Sequence, residues 1–180
     1  MKFFIFISAS LISLSTFAAG KFTLSSPSLI AGKPLANKHV FNSFGCSGEN
    51  KSPELEWKNA PAGTKSFAVT VYDPDAPTGS GWWHWTIFNI PATTLKLAEN
   101  ASNDPKLLPA GAVQGRTDFG KSGYGGACPP QGDKPHHYIF TVYALKTEKL
   151  DLNQDSPGAM VGFYVRDALA KSSITVTYSR

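Results

Sequence analysis

The chain has 180 residues and a formal charge of +4, with 42% hydrophobic residues and only two cysteines. That fits one domain with a substantial core and argues against a structural zinc site, which needs more ligands at closer spacing. The Lys and Arg residues are scattered singly, without a basic run or a basic helical face, so the pI near 9.0 points to neither nucleic acid nor an anionic membrane surface.

Residues 1–18 combine a positive start at Lys2, an apolar run over 3–14 broken only by serines, and a small-residue end at Ala18. This pattern predicts a secretory signal peptide cleaved after Ala18 or Ala19. The run is too short to span a bilayer, no second long apolar run follows, and no cysteine at the cleavage site can take a lipid. Residues 19–180 are therefore expected as a single exported domain, periplasmic or secreted, without stable membrane insertion. In an oxidising compartment Cys46 and Cys128 suggest one disulfide closing a large loop; two free buried thiols are the alternative.

Short strands are predicted at 22–24 and 39–41, separated by a Gly/Pro turn at 32–34, with a loop over 44–50. Leu55 and Trp57 alternate with Glu54, Glu56 and Lys58, which predicts a half-exposed strand. Phe67, Val69 and Val71 alternate with Ala68, Thr70 and Tyr72, and this period of two predicts another. A fourth, rich in aromatic and β-branched residues, runs from Trp82 to Ile90, where Pro91 stops it.

Between these last two strands, Asp73-Pro74-Asp75-Ala76-Pro77 makes a rigid acidic arm and residues 78–81 a glycine-bearing hinge. If the strands are antiparallel neighbours, Asp73, Asp75 and His84 share one end of a sheet. Turn formation alone would explain the Asp-Pro and Thr-Gly steps. Two carboxylates, two prolines, three tryptophans and a histidine in one short stretch point to a site. Trp82, Trp83 and Trp85 are expected to alternate faces, with at least one walling the pocket and the others in the core.

Residues 92–126 hold too many glycines and prolines for a long helix and read as an irregular connection with a short strand near 112–114. The strand at 137–145 is apolar on both faces and so is expected in the interior of a sheet. Ser156 is predicted to cap a helix with Pro157 at its first position, ending near Ala170 and burying a stripe of Met160, Phe163, Tyr164 and Ala168. Ile174, Val176 and Tyr178 close the chain as a strand. Many short strands with one helix predict an all-β antiparallel sandwich carrying one or two peripheral helices.

His136 and His84 each begin a strand and Asp73 ends one, so all three can meet at one rim. Two imidazoles with protons to donate, beside the amides of a Gly-rich loop, suit a small oxyanion such as phosphate. Asp73 then accepts a proton from one histidine and fixes its tautomer, and Asp73 or Asp75 can receive an ammonium group attached to the phosphate. His39 and His137 are read as structural. No cofactor or metal is expected, since nothing in the spacing supports a facial His/Asp metal site. A hydrolase using His84 or His136 as base and Asp73 as its orienting partner is the alternative. It is disfavoured because the chain has no G-x-S-x-G elbow and Cys128, between Ala127 and Pro129, is expected in a disulfide.

The motifs SPELEW (52–57), PAGTKSFAVTVYDPDAPTGSGWWHW (61–85), GRTDFG (115–120), GGACPPQG (125–132) and PHHY (135–138) resemble those of the phosphatidylethanolamine-binding protein family, and within it the exported bacterial Raf kinase inhibitor-like proteins. The resemblance implies a Greek-key β-sandwich with a small non-catalytic cavity for phosphate, phosphoethanolamine or phosphorylated groups, in a kinase-inhibitor-like protein acting after export. It carries the pocket onto Asp73, Pro74, Asp75, His84, Cys128, Pro129, Pro130, His136 and Tyr138, and it favours a Cys46–Cys128 disulfide that staples an N-terminal loop to the pocket rim. The chain departs from the pattern in three places. His137 stands where many relatives have arginine, Cys128 replaces a glycine, and no helix follows the last strand, so a whole phospholipid is not expected in the cavity. The expected partners are a small anion and an unspecified protein, with a homodimer left open.

Overall fold

The computed structural model describes residues 20–180; the predicted signal peptide lies outside the described residues. Two antiparallel sheets form the body. The smaller contains β1 (Thr23–Ser25), β2 (Leu55–Lys58) and β5 (Lys96–Leu97), in the order β1-β2-β5. The larger contains β3 (Ser66–Asp73), β4 (Trp82–Pro91), β6 (Val113–Gln114), β7 (His136–Leu145) and β8 (Ala170–Tyr178), in the order β6-β4-β3-β7-β8. β3, β4 and β6 lie side by side, and β7 returns by a long connection to pair with the far edge of β3, which is the Greek-key order. The expected all-β sandwich is the observed fold, with one α-helix, α1 (Gly158–Tyr164), and two single 3-10 turns among the described residues.

Both faces of the larger sheet are covered, which explains why β3 and β7 read as apolar on both sides. Phe67, Val69 and Val71 of β3 join Leu55 and Trp57 of β2 and Phe140 of β7 in one apolar cluster between the sheets. Ala68 turns the other way, into a second cluster with Phe88, Leu150 and Val161 under α1. Trp57, Trp85, Phe67 and Phe140 are completely buried, each contributing on the order of 2–3 kcal/mol of hydrophobic stabilisation.

Three local expectations are corrected. Residues 39–41 form no strand: Asn37–His39 is a 3-10 turn, and the groups that follow bond separate segments, Phe41 N–H to Ala127 O and Asn50 N–H to Val40 O. Each is a single bond to a different segment, and no ladder forms. The two-residue β5 arises inside the stretch expected to be irregular. The helix is shorter than its pattern suggested and faces the other way. It starts at Gly158 with Pro157 as N-cap and ends at Tyr164, while Ser156 Oγ accepts the Asn153 amide instead of capping it. Met160, Phe163 and Tyr164 are 46%, 58% and 43% exposed. The buried face is Gly158 and Val161, because the helix lies on the Trp83 ring: a β-carbon at Gly158 would stand 2.3 Å from Trp83 Cγ, and one at Gly162 2.8 Å from Cη2. Close approach to tryptophan selects glycine there, and the bulky residues are left in solvent.

Candidate functional site

Strand register decides which side chains meet. Asp73 pairs with Trp82 and Tyr72 with Trp83, but Val71 pairs with Trp85, so His84 is an extra residue on β4. Such a bulge re-aims side chains. Trp82 and Trp85 therefore share the inner face although they are three residues apart, and simple alternation of the tryptophans fails at this point. Trp83 goes to the outer face, against Tyr72 with ring centroids 4.7 Å apart. On the other side of β3, Tyr72 pairs with Ile139 and Val71 with Phe140. The period of two then carries Tyr138 and His136 onto the face of Asp73.

Asp73 is the hub. Its Oδ2 accepts from His136 Nδ1 at 2.8 Å, and its Oδ1 accepts from the Asp75 amide at 2.8 Å. Both side chains of the Asp73–His136 pair are almost fully buried. A carboxylate can only accept here, so Nδ1 of His136 carries the hydrogen and the carboxylate orients the ring. His136 Nε2 lies 3.4 Å from Oδ2 of the half-exposed Asp133, a distance at which a hydrogen bond is weak. The Tyr138 hydroxyl is buried beside the Asp73 carboxylate without a well-formed hydrogen bond among the described residues, and Trp82 Nε1 is likewise buried without one. Burial, reinforced by the Asp73 charge, pushes the Tyr138 phenol well above its ordinary value, so it stays protonated and remains a donor.

His84 is held differently. Its Nδ1 lies 2.8 Å from Gly125 O, and its own carbonyl accepts the Gly125 amide at 2.8 Å. The glycine is required because a β-carbon there would come 2.4 Å from the Phe119 ring. Burial holds the His84 imidazole below its ordinary value, against the opposing pull of the Gly125 carbonyl and the Asp73 charge. The ring is therefore neutral at neutral pH and has already given its one hydrogen to the backbone. His84 offers the cavity a lone pair on Nε2, where the sequence suggested a second donor.

The cavity encloses about 190 Å³, below the range usual for drug-sized ligands and suited to a head group. Of the residues expected there, Asp73, His84, Cys128, Pro129, Pro130, His136 and Tyr138 line it; Pro74 and Asp75 do not. Asp75 turns outward, where its Oδ2 accepts from both the backbone amide and Nδ1 of His137 at 2.7 Å, pinning the acidic arm to β7. Partial burial pushes Asp75 up, but these bonds and the imidazole charge outweigh it and leave the carboxyl below its ordinary value. His137 is thus the arm's anchor. His39, the other histidine set aside as structural, is buried with its ring nitrogens against Lys51 O at 2.7 Å and Ser28 Oγ at 2.8 Å.

The walls that sequence reasoning missed are Phe44, Ala76, Pro77, Thr78 and Phe119, with Trp82 now assigned as the tryptophan that lines the cavity. Phe119 arrives through the GRTDFG segment. Asp118 exchanges bonds with Trp83, its Oδ2 accepting the Trp83 amide at 2.7 Å and its own amide donating to Trp83 O at 3.1 Å. That seats Phe119 edge-on against His84 at 5.2 Å and Trp82 at 5.4 Å. Phe44 is held at the mouth by the Cys46–Cys128 disulfide, which spans 82 positions of sequence. Among the described residues no cluster of three His, Cys, Asp or Glu side chains is arranged to hold a metal ion.

The arrangement presents buried neutral donors, one oriented imidazole and one lone pair inside mostly apolar walls. Comparison with known proteins gives it a context. The profile of the family described as phosphatidylethanolamine-binding protein matches residues 25–179. The UPF0098 protein YbcL of Escherichia coli strain K12 is 54% identical over 176 residues, 96% of either chain. The UPF0098 protein YbhB of the same organism is 54% identical over 149 residues, 82% of this chain and 94% of that one. The crystal structure of E. coli YbcL, described as a new member of the mammalian PEBP family, superposes with a TM-score of 0.87 at 56% identity, covering 89% of this chain and 99% of that one.

Proposed function

Because the chain belongs to the phosphatidylethanolamine-binding protein family, we propose that its strand-end cavity is a non-catalytic binding site for a small phosphate-type anion: phosphate, phosphoethanolamine or a phosphorylated group on a partner protein. One observation carries this reading. Two residues that line the cavity, Trp82 and Tyr138, each keep a buried donor without a well-formed hydrogen bond among the described residues. Leaving a buried donor unsatisfied costs about 1–3 kcal/mol, a cost that a bound oxyanion removes. With its Nδ1 hydrogen given to Asp73, a neutral His136 offers a ligand its Nε2 as an acceptor beside these two donors.

We assign the protein to an exported setting, as a kinase-inhibitor-like binder of phosphorylated partners. The disulfide fits an oxidising compartment, and no helix among the described residues is long and apolar enough to cross a membrane. A second reading, a hydrolase, has the Asp73–His136 contact in its favour, since a carboxylate-oriented imidazole is how a general base is built. The lining residues supply no activated nucleophile: Cys128 is oxidised and Thr78 Oγ1 already donates to Gly81 O.

Titration with phosphate tests the proposal. Binding shifts the imidazole resonances of His84 and His136, and a tenfold excess over Kd adds roughly 1.4 kcal/mol of stability. Asp73→Ala, which releases His136, removes both effects. Unchanged spectra and melting curves rule out the binding site. Turnover of a phosphate ester that is lost in His136→Ala establishes the hydrolase instead.

A further inference from the structure

We infer that the ligand extends beyond the strand-end cavity: it is a phosphorylated peptide that crosses the Phe44 ring into a second cavity, where Lys121 takes an acidic side chain of the same peptide. This deepens the phosphate-binding reading above and rests on it.

The second cavity adjoins the first. It encloses about 330 Å³, and Phe44 and Phe119 line both. These two rings are the wall between the cavities, 5.7 Å apart and packed on Phe41 at 5.5 and 4.4 Å. An extended chain advances about 3.3 Å per residue, so roughly two or three residues span a wall one aromatic ring wide.

Phe44 is placed against local preference. The Cys46 amide donates to Ser43 O at 3.0 Å, and Phe44 and Gly45 have φ of 56° and 80°. Residues 43–46 thus form a turn with both central residues left-handed, the signature of type I′. Asn, Asp and Gly suit the first central position, and a bulky aromatic is strained there. The same ring is 63% exposed. A phenylalanine that serves neither the turn nor the interior gains its place when a ligand lies over it, and backbone strain of this kind concentrates where ligands are clamped.

The lining selects a peptide over an acyl chain. Beside the aromatic wall, the second cavity is bounded by Asn42, Ser43, Asn103, Thr117 and Ser122. The backbone amides of Asn42 and Ser43 donate to no backbone carbonyl among the described residues. A peptide carbonyl can accept from them, whereas a fatty chain would cover them without a partner. Lys121 is the one charged residue of this lining. Lys38, Lys51, Lys58 and Lys96 each hold a glutamate, while Lys121 has no carboxylate partner among the described residues. No Lys or Arg lines the first cavity, so Lys121 is the cation of the combined groove, and an acidic side chain near the phosphorylated residue meets it without a competing carboxylate in that lining.

Calorimetry on the wild-type protein compares a blocked phosphoserine, a seven-residue peptide with a central phosphoserine and two glutamates at each end, the same peptide with glutamines, and the glutamate peptide without phosphate. The glutamate phosphopeptide is expected to bind at least about tenfold more tightly than phosphoserine. It should exceed the glutamine version by roughly two- to fivefold, the range of an exposed ion pair, and added salt should shrink that gap. Lys121→Gln closes the gap and leaves the phosphoserine affinity unchanged. In 15N NMR the Asn42 and Ser43 amides shift with the phosphopeptide and not with phosphoserine. A glutamate phosphopeptide no tighter than phosphoserine, or no tighter than its glutamine or unphosphorylated version, overturns the inference and leaves the phosphate site standing. Vesicles of phosphatidylethanolamine and phosphatidylglycerol that move those two amides when the phosphopeptide does not would assign the second cavity to lipid, and overturn it as well. If neither phosphoserine nor phosphate binds, the phosphate-binding reading is wrong and the inference falls with it. The wild-type titrations decide the matter even if the Lys121 variant does not fold.

Discussion

Replacing Tyr138 by Phe removes one oxygen from a residue that is 1% exposed, and it is expected to move stability and affinity in opposite directions. The hydroxyl makes no well-formed hydrogen bond among the described residues. Its desolvation without compensation costs about 1–3 kcal/mol, and because water in the cavity recovers part of this, the low end of about 1 kcal/mol applies. For a domain of this size that raises the melting temperature of the ligand-free protein by roughly 2–4 °C. With phosphate bound, the same hydroxyl donates to a charged oxygen, a bond worth about 1.5–3 kcal/mol, so the variant binds phosphate roughly 10- to 100-fold more weakly. Scanning calorimetry with and without phosphate reads both numbers from one pair of samples. A variant that melts lower than wild type and binds phosphate equally well would show that the hydroxyl serves the fold, and would remove Tyr138 from the ligand-binding set.

Two further outcomes follow from the packing. Burial is the largest cause holding both His39 and His84 below the ordinary imidazole value, so the unfolded chain protonates first as pH falls. The stability they contribute is complete above about pH 6.5 and is lost below it, toward the folded values, by up to about 1.4 kcal/mol per pH unit for each histidine. Urea unfolding followed from roughly pH 8 to 5 should show this loss and His39→Gln should make it shallower; a pH-independent midpoint refutes it. Gly158→Ala, which by helix propensity alone would stabilise by about 1 kcal/mol, should instead destabilise by roughly 1–3 kcal/mol, because its β-carbon meets the Trp83 ring. A midpoint shift in the stabilising direction would show that α1 can move off the indole.

The sandwich was legible because its strands obey a period of two, and the same parity places Asp73, His136 and Tyr138 on one face. Every feature that escaped breaks a local rule for a tertiary reason. The extra residue at His84 is invisible to alternation, since nothing in W-W-H-W marks which position is skipped, and only the pairing of Val71 with Trp85 reveals it. The helix face was misjudged because apolar patterning counts bulky side chains, whereas contact with Trp83 demanded glycine. Phe119 had a signal in GRTDFG, but its role depends on Asp118 gripping the Trp83 backbone from a distant loop. Phe44 owes its place to the disulfide two residues away, and a sequence shows the cysteines without showing what they hold. Asp75 looked equal to Asp73, and only the outward anchor to His137 separates the two.

The Cys46–Cys128 link also turns much of the molecule into a covalent ring. Asp73, His84 and Phe119 belong to that ring, as does the exposed tip at 77–80, the part of the arm most open to a peptidase. A single cut there opens the backbone but severs no piece: both products stay joined through sulfur. The nicked protein would migrate intact on a non-reducing gel and separate into two bands once thiol is added, so its durability against peptidases depends on the sulfur bridge as much as on the peptide chain.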